Sequence, residues 1–188
     1  MAGAKNVIDM RPGKGFTTSQ SNEHLRRLSD SNRAKKAQWN YDPSREHLNF
    51  EIGKGGCVKM VDKAKSIPQR IQEILSARGI TDPNLKLLYE GKQPFYRTVA
   101  NFILGGNRDV MRELAFGNQT VNWEKGADNS EVVRLAGIEK WAKDSYQFMC
   151  DKYGEQNIVA FVVHLDEVNP HCHCTVLPIT PKNKISFI

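Results

Sequence analysis

Two apolar runs separated by a short polar stretch stand out towards the end of the printed sequence. Residues 158–164 form the first run and residues 171–179 the second, and the stretch 165–170 between them contains Asp166, Asn169 and Pro170. Short apolar runs separated by turn-forming residues are typical of neighbouring strands. The pattern therefore predicts a β-hairpin built from 158–164 and 171–179.

Two longer segments have apolar residues at the three- and four-residue steps that a helix requires. Residues 66–77 begin at Ser66, a good N-cap, carry Pro68 in the first turn and are followed by Gly79. The second segment begins at Asn129 or Ser130 and continues to about residue 153. Both patterns predict helices with one apolar face.

The remaining segments give shorter predictions. We expect a strand over 5–10 that is stopped by Arg11, Pro12 and Gly13, followed by a loop over 13–21 and a helix over 23–36. Two further strands are expected, one over 47–52 and a buried one over 97–104. Residues 107–129 have no clear pattern. The order of elements predicts an α/β (α+β) fold. It would have an antiparallel central sheet with helices packed on its faces, mainly on one of them.

Length and composition are those of one globular domain, which we expect to cover residues 1–188. No apolar run approaches the roughly 20 residues needed to cross a bilayer. Charged residues also interrupt the N-terminal segment before it could act as a signal peptide. We therefore expect a cytoplasmic protein without an integral membrane segment. Its four cysteines, at positions 57, 150, 172 and 174, are then predicted to be reduced thiols.

The net charge is positive and unevenly distributed. The formal charge is +6, and residues 1–50 hold nine Lys or Arg against five Asp or Glu. A basic domain suits a polyanionic partner, although charge alone does not prove one. If a phosphate backbone is bound, we expect the N-terminal quarter to lie along it, with 11–45 as a basic segment that could move.

Three of the five histidines lie in one stretch of ten residues, 164–173, inside the predicted hairpin. His171 and His173 point to the same side of their strand, and a hairpin closing through 165–170 places His164 opposite His171. Three imidazoles on one face can bind one Zn, Mn, Co, Ni, Cu or Fe(II) ion and leave positions open for substrate oxygens. The alternative is that each histidine separately makes a hydrogen bond or lies exposed.

The neighbouring cysteines and carboxylates allow more than one interpretation. Cys172 and Cys174 would complete a His-Cys-His-Cys zinc site, but strand alternation turns them to the opposite face, which favours a place in the core. Asp166 and Glu167 are either polar turn residues or carboxylates that orient a metal ligand or take part in proton transfer.

The run from His164 to His173, His-x-Asp-Glu-x-x-Pro-His-x-His, resembles the metal-binding motif of the MobV (Mob/Pre) relaxases of the HUH endonuclease superfamily. Two further segments are similar to motifs of that family. Residues 22–27, Asn-Glu-His-Leu-Arg-Arg, resemble its N-terminal motif, and residues 42–49, which include Pro-Ser-Arg-Glu-His-Leu-Asn, resemble its second motif. The order and rough spacing agree from about residue 5 to 180, whereas 85–130 shows little similarity.

The resemblance implies a fold, an activity and a set of site residues. His164, His171 and His173 would bind one divalent cation, Mn2+ or Mg2+ in the first place, with Zn2+, Co2+ or Ni2+ as alternatives. Glu167 would support the site as a catalytic residue. His24 would be the nucleophile that cuts one DNA strand at a transfer origin and holds the 5′-phosphate covalently. Tyr41 is the nearest rival, because most superfamily members use tyrosine.

Nucleic-acid contacts are expected from the basic residues near His24. Arg26, Arg27 and Arg45 would hold backbone phosphates, and Asn49 would reach a base edge or cap a turn. The partner implied is single-stranded or hairpin DNA of a transfer origin. Relaxases of this family are longer, so we expect this chain to be the N-terminal part of a protein whose further region could contact a coupling protein.

Two other functions share parts of this pattern. A replication-initiation nuclease of the same superfamily would have the same metal site, but it usually carries a catalytic tyrosine after the metal motif, and no tyrosine follows Tyr153. A non-catalytic DNA-binding module would hold a structural metal, yet structural sites usually have four protein ligands. A metallohydrolase of small phosphates would have no use for the basic N-terminal quarter.

Overall fold

The computed structural model describes residues 6–186 as six strands and six α-helices. The strands form one antiparallel sheet in the order β1-β4-β6-β5-β2-β3. Their bounds are Val7–Gly13 (β1), Phe50–Gly53 (β2), Cys57–Met60 (β3), Val99–Gly105 (β4), Ile158–His164 (β5) and His171–Val176 (β6). The helices are Thr18–His24 (α1), Asp30–Ala37 (α2), Ile67–Ala77 (α3), Pro83–Tyr89 (α4), Arg108–Phe116 (α5) and Ala136–Tyr153 (α6).

The sheet carries a hydrophobic core on each of its two faces. One core joins the sheet to α5 and α6 through buried residues that include Phe102, Met111, Phe116, Ile138, Tyr146 and Phe161. The other joins it to α1 and α3 through Leu25, Ile67, Ile71, Leu75, Val99 and Val162. The α/β fold and its antiparallel sheet are thus confirmed, but the expectation that helices lie mainly on one face was wrong.

The hairpin of β5 and β6 and the helix α3 follow the sequence pattern closely. β5 has the predicted bounds, and β6 begins at the predicted His171 but ends at Val176. Ser66 caps α3 through a capping box with Gln69, and Gly79 has a positive φ of 64° just beyond its end. No helix among residues 6–186 is long and apolar enough to cross a membrane.

The N-terminal third differs from the prediction. β1 continues through Pro12 and Gly13, which an edge strand tolerates because Pro there need not donate to a second neighbour. The predicted loop over 13–21 contains the start of α1, capped by a capping box between Thr17 and Gln20. The predicted helix over 23–36 is two helices, broken where Arg26 adopts a positive φ of 52°.

Further along the chain, local capping explains the other differences. The predicted strand over 47–52 begins only at Phe50, because Asp42 caps a 3-10 helix over Pro43–Leu48. The last long helix begins at Ala136, because the Asn129 amide instead donates to Asp42 Oδ2 at 2.8 Å. Strand β3 and helix α4 were not predicted, and α5 lies in the unassigned stretch 107–129.

Candidate functional site

The β5–β6 hairpin brings His164, His171 and His173 together on the α1/α3 face of the sheet. His164 is the direct cross-strand partner of His171, as the spacing predicts. The Nε2 atoms of His171 and His173 lie 3.0 Å apart. One nitrogen from each of the three rings lies within 4.8 Å of the others, so they could hold a single metal ion.

Each ring nitrogen of His164 has a polar partner inside the protein. Its Nε2 lies 2.8 Å from the carbonyl oxygen of His24, which can only accept, and its Nδ1 lies 3.2 Å from Arg26 Nη2, which can only donate. These contacts favour a proton on Nε2, and a metal ion bound at this nitrogen would take the place of that proton and of the contact with the His24 carbonyl. Because the side chain is fully buried, desolvation lowers its pKa well below the usual range and keeps the ring neutral.

Arg26 and Asp166 form a buried ion pair beside these histidines. The guanidinium Nε and Nη2 each donate to a different oxygen of Asp166 at 2.8 Å, and the two side chains are 2% and 0% exposed. Nη2 also donates to Glu167 Oε1 at 2.6 Å. The Asn49 amide completes the arrangement, donating to Asp166 Oδ2 at 2.6 Å and accepting the Leu165 N–H at 2.7 Å.

Arg45 ties the connection after β5 to the segment before β2. Its Nη1 donates to the carbonyl of Leu165 at 2.5 Å and its Nε to Asp42 Oδ2 at 2.7 Å, with the side chain 2% exposed. The N–H of Asp42 in turn donates to the carbonyl of Asp166 at 2.7 Å. Residues 165–167 are therefore held by contacts from distant parts of the chain.

The residues predicted to contact DNA differ in their exposure to solvent. Arg26, Arg45 and Asn49 are 2%, 2% and 5% exposed, and their polar groups bind partners inside the protein. The contact of these three residues with DNA stays a prediction, and it would require their polar groups to leave the 164–167 segment. Arg27 is exposed on the surface, and its contact with a phosphate stays a prediction.

His24, at the end of α1, lies against the histidine cluster. Its ring stacks on that of His173 with centroids 4.0 Å apart and planes 25° apart, and the edge of Phe16 contacts it from another side at 5.2 Å. Burial lowers the pKa of His24 to about 4. Its Nδ1 is buried without a hydrogen-bond partner among residues 6–186. The site thus contains a neutral imidazole in contact with a candidate metal ligand.

Tyr41, the rival nucleophile, is directed elsewhere. Its hydroxyl donates to Glu46 and accepts from Arg33 Nη1 at 2.9 Å. The residue is 6% exposed, and burial raises the pKa of the phenol, which disfavours the phenolate. Its hydroxyl is therefore engaged outside the histidine cluster.

Cys172 and Cys174 lie on the opposite face of β6, as the alternation predicts. They are 0% and 1% exposed within the core against α5 and α6. Burial raises the pKa of both thiols, which keeps them protonated. They do not contribute to the histidine cluster.

Comparison with protein families agrees with the motif at the hairpin. Residues 121–187 match the family described as plasmid recombination enzyme (Mob_Pre). A plasmid recombination enzyme of a Bacillus species is 42% identical over 175 residues, 92% of this chain and 33% of its own length. One from Lactiplantibacillus plantarum is 37% identical over 102 residues, 53% of this chain and 28% of its own length. The matched parts thus span a third or less of these relatives.

Solved structures agree with the fold over most of the chain. The relaxase domain of MobM (MOBV; Mob_Pre), crystallised with Mn and with plasmid pMV158 oriT DNA at pH 5.5, has a TM-score of 0.63 and 19% identity. The match covers 96% of this chain and 73% of that one. A crystal form at pH 6.8 gives a TM-score of 0.61. The resemblance that the motifs predict, and the relaxase-like fold, are confirmed.

Proposed function

Because this chain is a relative of the Mob/Pre plasmid recombination enzymes, we propose that it is a relaxase domain that nicks and rejoins one DNA strand at a transfer origin. The observation that carries the proposal is the stacking of His24 on His173, at 4.0 Å between ring centroids. The neutral imidazole that would act as the nucleophile thus lies beside a three-histidine cluster. The single-stranded or hairpin DNA of the origin, the coupling protein and the cytoplasmic location belong to the same proposal.

The three histidines fit a divalent cation. Their nitrogens converge, burial keeps the rings of His164 and His173 neutral, and a neutral imidazole can give a lone pair to a divalent cation once the ligating nitrogen carries no proton. We propose Mn2+ or Mg2+, a choice that the Mn in the MobM crystals supports. When bound, such an ion withdraws charge from the oxygens of the scissile phosphate.

His24 would supply the attacking atom. Its pKa of about 4 leaves the ring neutral near pH 7, so a nitrogen lone pair is available without a strong base. Since Nδ1 is the buried nitrogen, attack on phosphorus would come from Nε2. A P–N bond forms as the P–O3′ bond breaks, the departing oxygen takes up a proton from solvent, and the imidazole, now a cation, keeps the proton on Nδ1. The 5′-phosphate then stays on His24, and a 3′-hydroxyl can reverse the step.

The ion-pair network would position the ligands and the nucleophile together. Arg26 contacts Asp166, Glu167 and His164, and Nε2 of His164 lies 2.8 Å from the carbonyl oxygen of His24. Glu167 is tied to Arg26 at 2.6 Å, which suits a carboxylate that orients the site rather than one that carries a proton to the leaving group. In this proposal Arg26 and Glu167 are positioning residues.

The test is a denaturing gel of labelled single strands from the parent element's transfer origin, incubated with Mn2+ or with chelator. We expect a metal-dependent nick and a protein-linked 5′ fragment. His24→Ala and His171→Ala should abolish both, whereas Tyr41→Phe should keep the adduct. An adduct that survives His24→Ala would place the nucleophile elsewhere. Binding of metal and DNA without any cutting would favour a non-catalytic module.

A further inference from the structure

A cleft beside helix α4 opens next to the candidate nucleophile. It has a volume of about 620 Å3 and is lined by residues of the β1–α1 loop, α1, α3, α4 and the segment before β4, among them Lys14, Phe16, Gln20, Gln72, Leu88 and Pro94. We call it the α4 cleft. Phe16 lines this cleft and its ring also contacts the ring of His24, so one side chain lies between the cleft and the candidate nucleophile.

A buried asparagine fixes the walls of the α4 cleft. Asn84, 2% exposed, accepts the N–H groups of Phe95 and Tyr96 at 3.0 and 2.9 Å. Its amide nitrogen donates to the carbonyls of Lys14 and Tyr96 at 2.9 and 2.7 Å. The β1–α1 loop and the segment before β4 are therefore bound to one side chain whose donors and acceptor are all used.

Several large apolar side chains beside the α4 cleft are exposed to solvent. Leu88 lines the cleft and is 52% exposed, and the adjacent Tyr89 is 89% exposed. Phe95, which follows the lining residue Pro94, is 71% exposed, although its backbone is held by Asn84. Exposed aromatic rings on a rigid backbone contribute nothing to a core, so they are suited to contact with a ligand.

The charges around these rings are mainly positive. Lys14, Lys86 and Arg97 are exposed, and none of them forms an ion pair within the described stretch 6–186. Lys92 is paired with Glu90 at 2.7 Å. The surroundings of the cleft therefore suit an anionic partner.

We propose that the α4 cleft binds unpaired bases of the DNA strand beside the phosphate that His24 attacks. Proteins bind single-stranded nucleic acid by stacking bases on aromatic side chains while cations follow the backbone. Phe16 and Lys14 line the α4 cleft, together with the side-chain amides of Gln20 and Gln72, and the exposed rings of Tyr89 and Phe95 follow its lining residues Leu88 and Pro94 in the chain. This inference rests on the proposed function, because it is the contact of Phe16 with His24 that makes the occupant a segment of the same strand.

The experiment measures binding without cutting. A fluorescein-labelled oligothymidylate is titrated with the protein in the presence of chelator, and fluorescence anisotropy gives the Kd. We expect Phe95→Ala and Tyr89→Ala to raise the Kd about 5- to 100-fold each. The matched control is Phe148→Ala, which removes a 42% exposed ring from α6 on the other side of the sheet and should leave the Kd unchanged. Circular dichroism checks that each variant is folded.

Two comparisons decide the outcome. Unchanged Kd values for Phe95→Ala and Tyr89→Ala would overturn the assignment, and so would an equal loss of affinity for duplex DNA, whose bases cannot stack on the protein. Cross-linking of 5-iododeoxyuridine strands to the peptide containing residues 88–96 would support it. If the protein cuts origin DNA but the variants bind normally, the cleft assignment alone fails. If it never cuts but the variants lose affinity, the proposed function fails and the cleft remains only a binding site for single strands.

Discussion

The guanidinium of Arg26 and the carboxylate of Asp166 meet through two hydrogen bonds of 2.8 Å, although 140 residues separate them in the sequence. Both side chains are buried. Removing one partner leaves an uncompensated buried charge, so we expect Arg26→Ala to lower the free energy of unfolding by about 3–5 kcal/mol. Urea denaturation followed by circular dichroism measures the change.

The control for this variant is its neighbour. Arg27 is exposed, and Arg27→Ala should change the free energy of unfolding by no more than about 0.5 kcal/mol. Equal effects of the two substitutions would show that the ion pair does not stabilise the fold.

Metal affinity should depend on the hairpin histidines. Loss of a residue that only holds a metal ligand in place typically weakens metal binding 10- to 100-fold. We expect His171→Ala and His173→Ala, which each remove a ligand itself, to weaken Mn2+ binding by more than this. Isothermal titration with Mn2+ gives the affinity. His47→Ala, which removes a histidine outside the cluster, should bind as the parent protein does. Full affinity without His171 would exclude this histidine as a ligand.

Acid should destabilise the metal-free protein through His24. Its pKa is about 4 in the fold, below the 6.5 of an ordinary imidazole, so the unfolded chain binds more protons between these values. The stability from the neutral ring is complete above pH 6.5 and is lost as the pH falls towards 4. We expect a loss of about 1–2 kcal/mol from His24 between pH 7 and pH 5.

Urea midpoints measured with chelator at both pH values test this expectation. His164 and His173 also have lowered pKa values and add to the acid effect. His24→Leu should therefore reduce the pH dependence without abolishing it. An identical loss in the parent protein and the variant would contradict the assignment.

The two faces of β6 should respond differently to substitution. Cys172 is fully buried in the core against α5 and α6, so Cys172→Ser places a hydroxyl among apolar groups and should lower the free energy of unfolding by about 1–3 kcal/mol. Its Mn2+ affinity should stay that of the parent protein. A marked loss of metal affinity in a folded Cys172→Ser protein would mean that the thiol takes part in the site.

The sequence was sufficient to predict those parts of the site that depend on local periodicity. Strand alternation alone turns His171 and His173 to one face and Cys172 to the other, and the length of the connection pairs His164 with His171. Helix α1 was missed because 13–21 is small and polar, although Thr17 and Gln20 form a capping box that could have indicated it.

The surroundings of the site could not be predicted in the same way. Arg26 and Arg45 belong to a basic stretch that suggests a surface, and only the folded chain shows that Asp166 and the carbonyl of Leu165 take their donors. Asn84 and the α4 cleft likewise depend on contacts between segments about 70 residues apart. Such pairings leave no periodic signal in a single sequence.

The pairing of His164 with His171 also limits how the connection between them can change length. If the connection kept its present length after the insertion or deletion of one residue in 165–170, β6 would pair one residue out of register and present Cys172 where His171 and His173 now lie. A change of two residues would restore the orientation but move the ring of His171 along the strand. Natural variants and engineered loops should therefore accept substitutions at the exposed Asn169 far more readily than insertions or deletions in this connection.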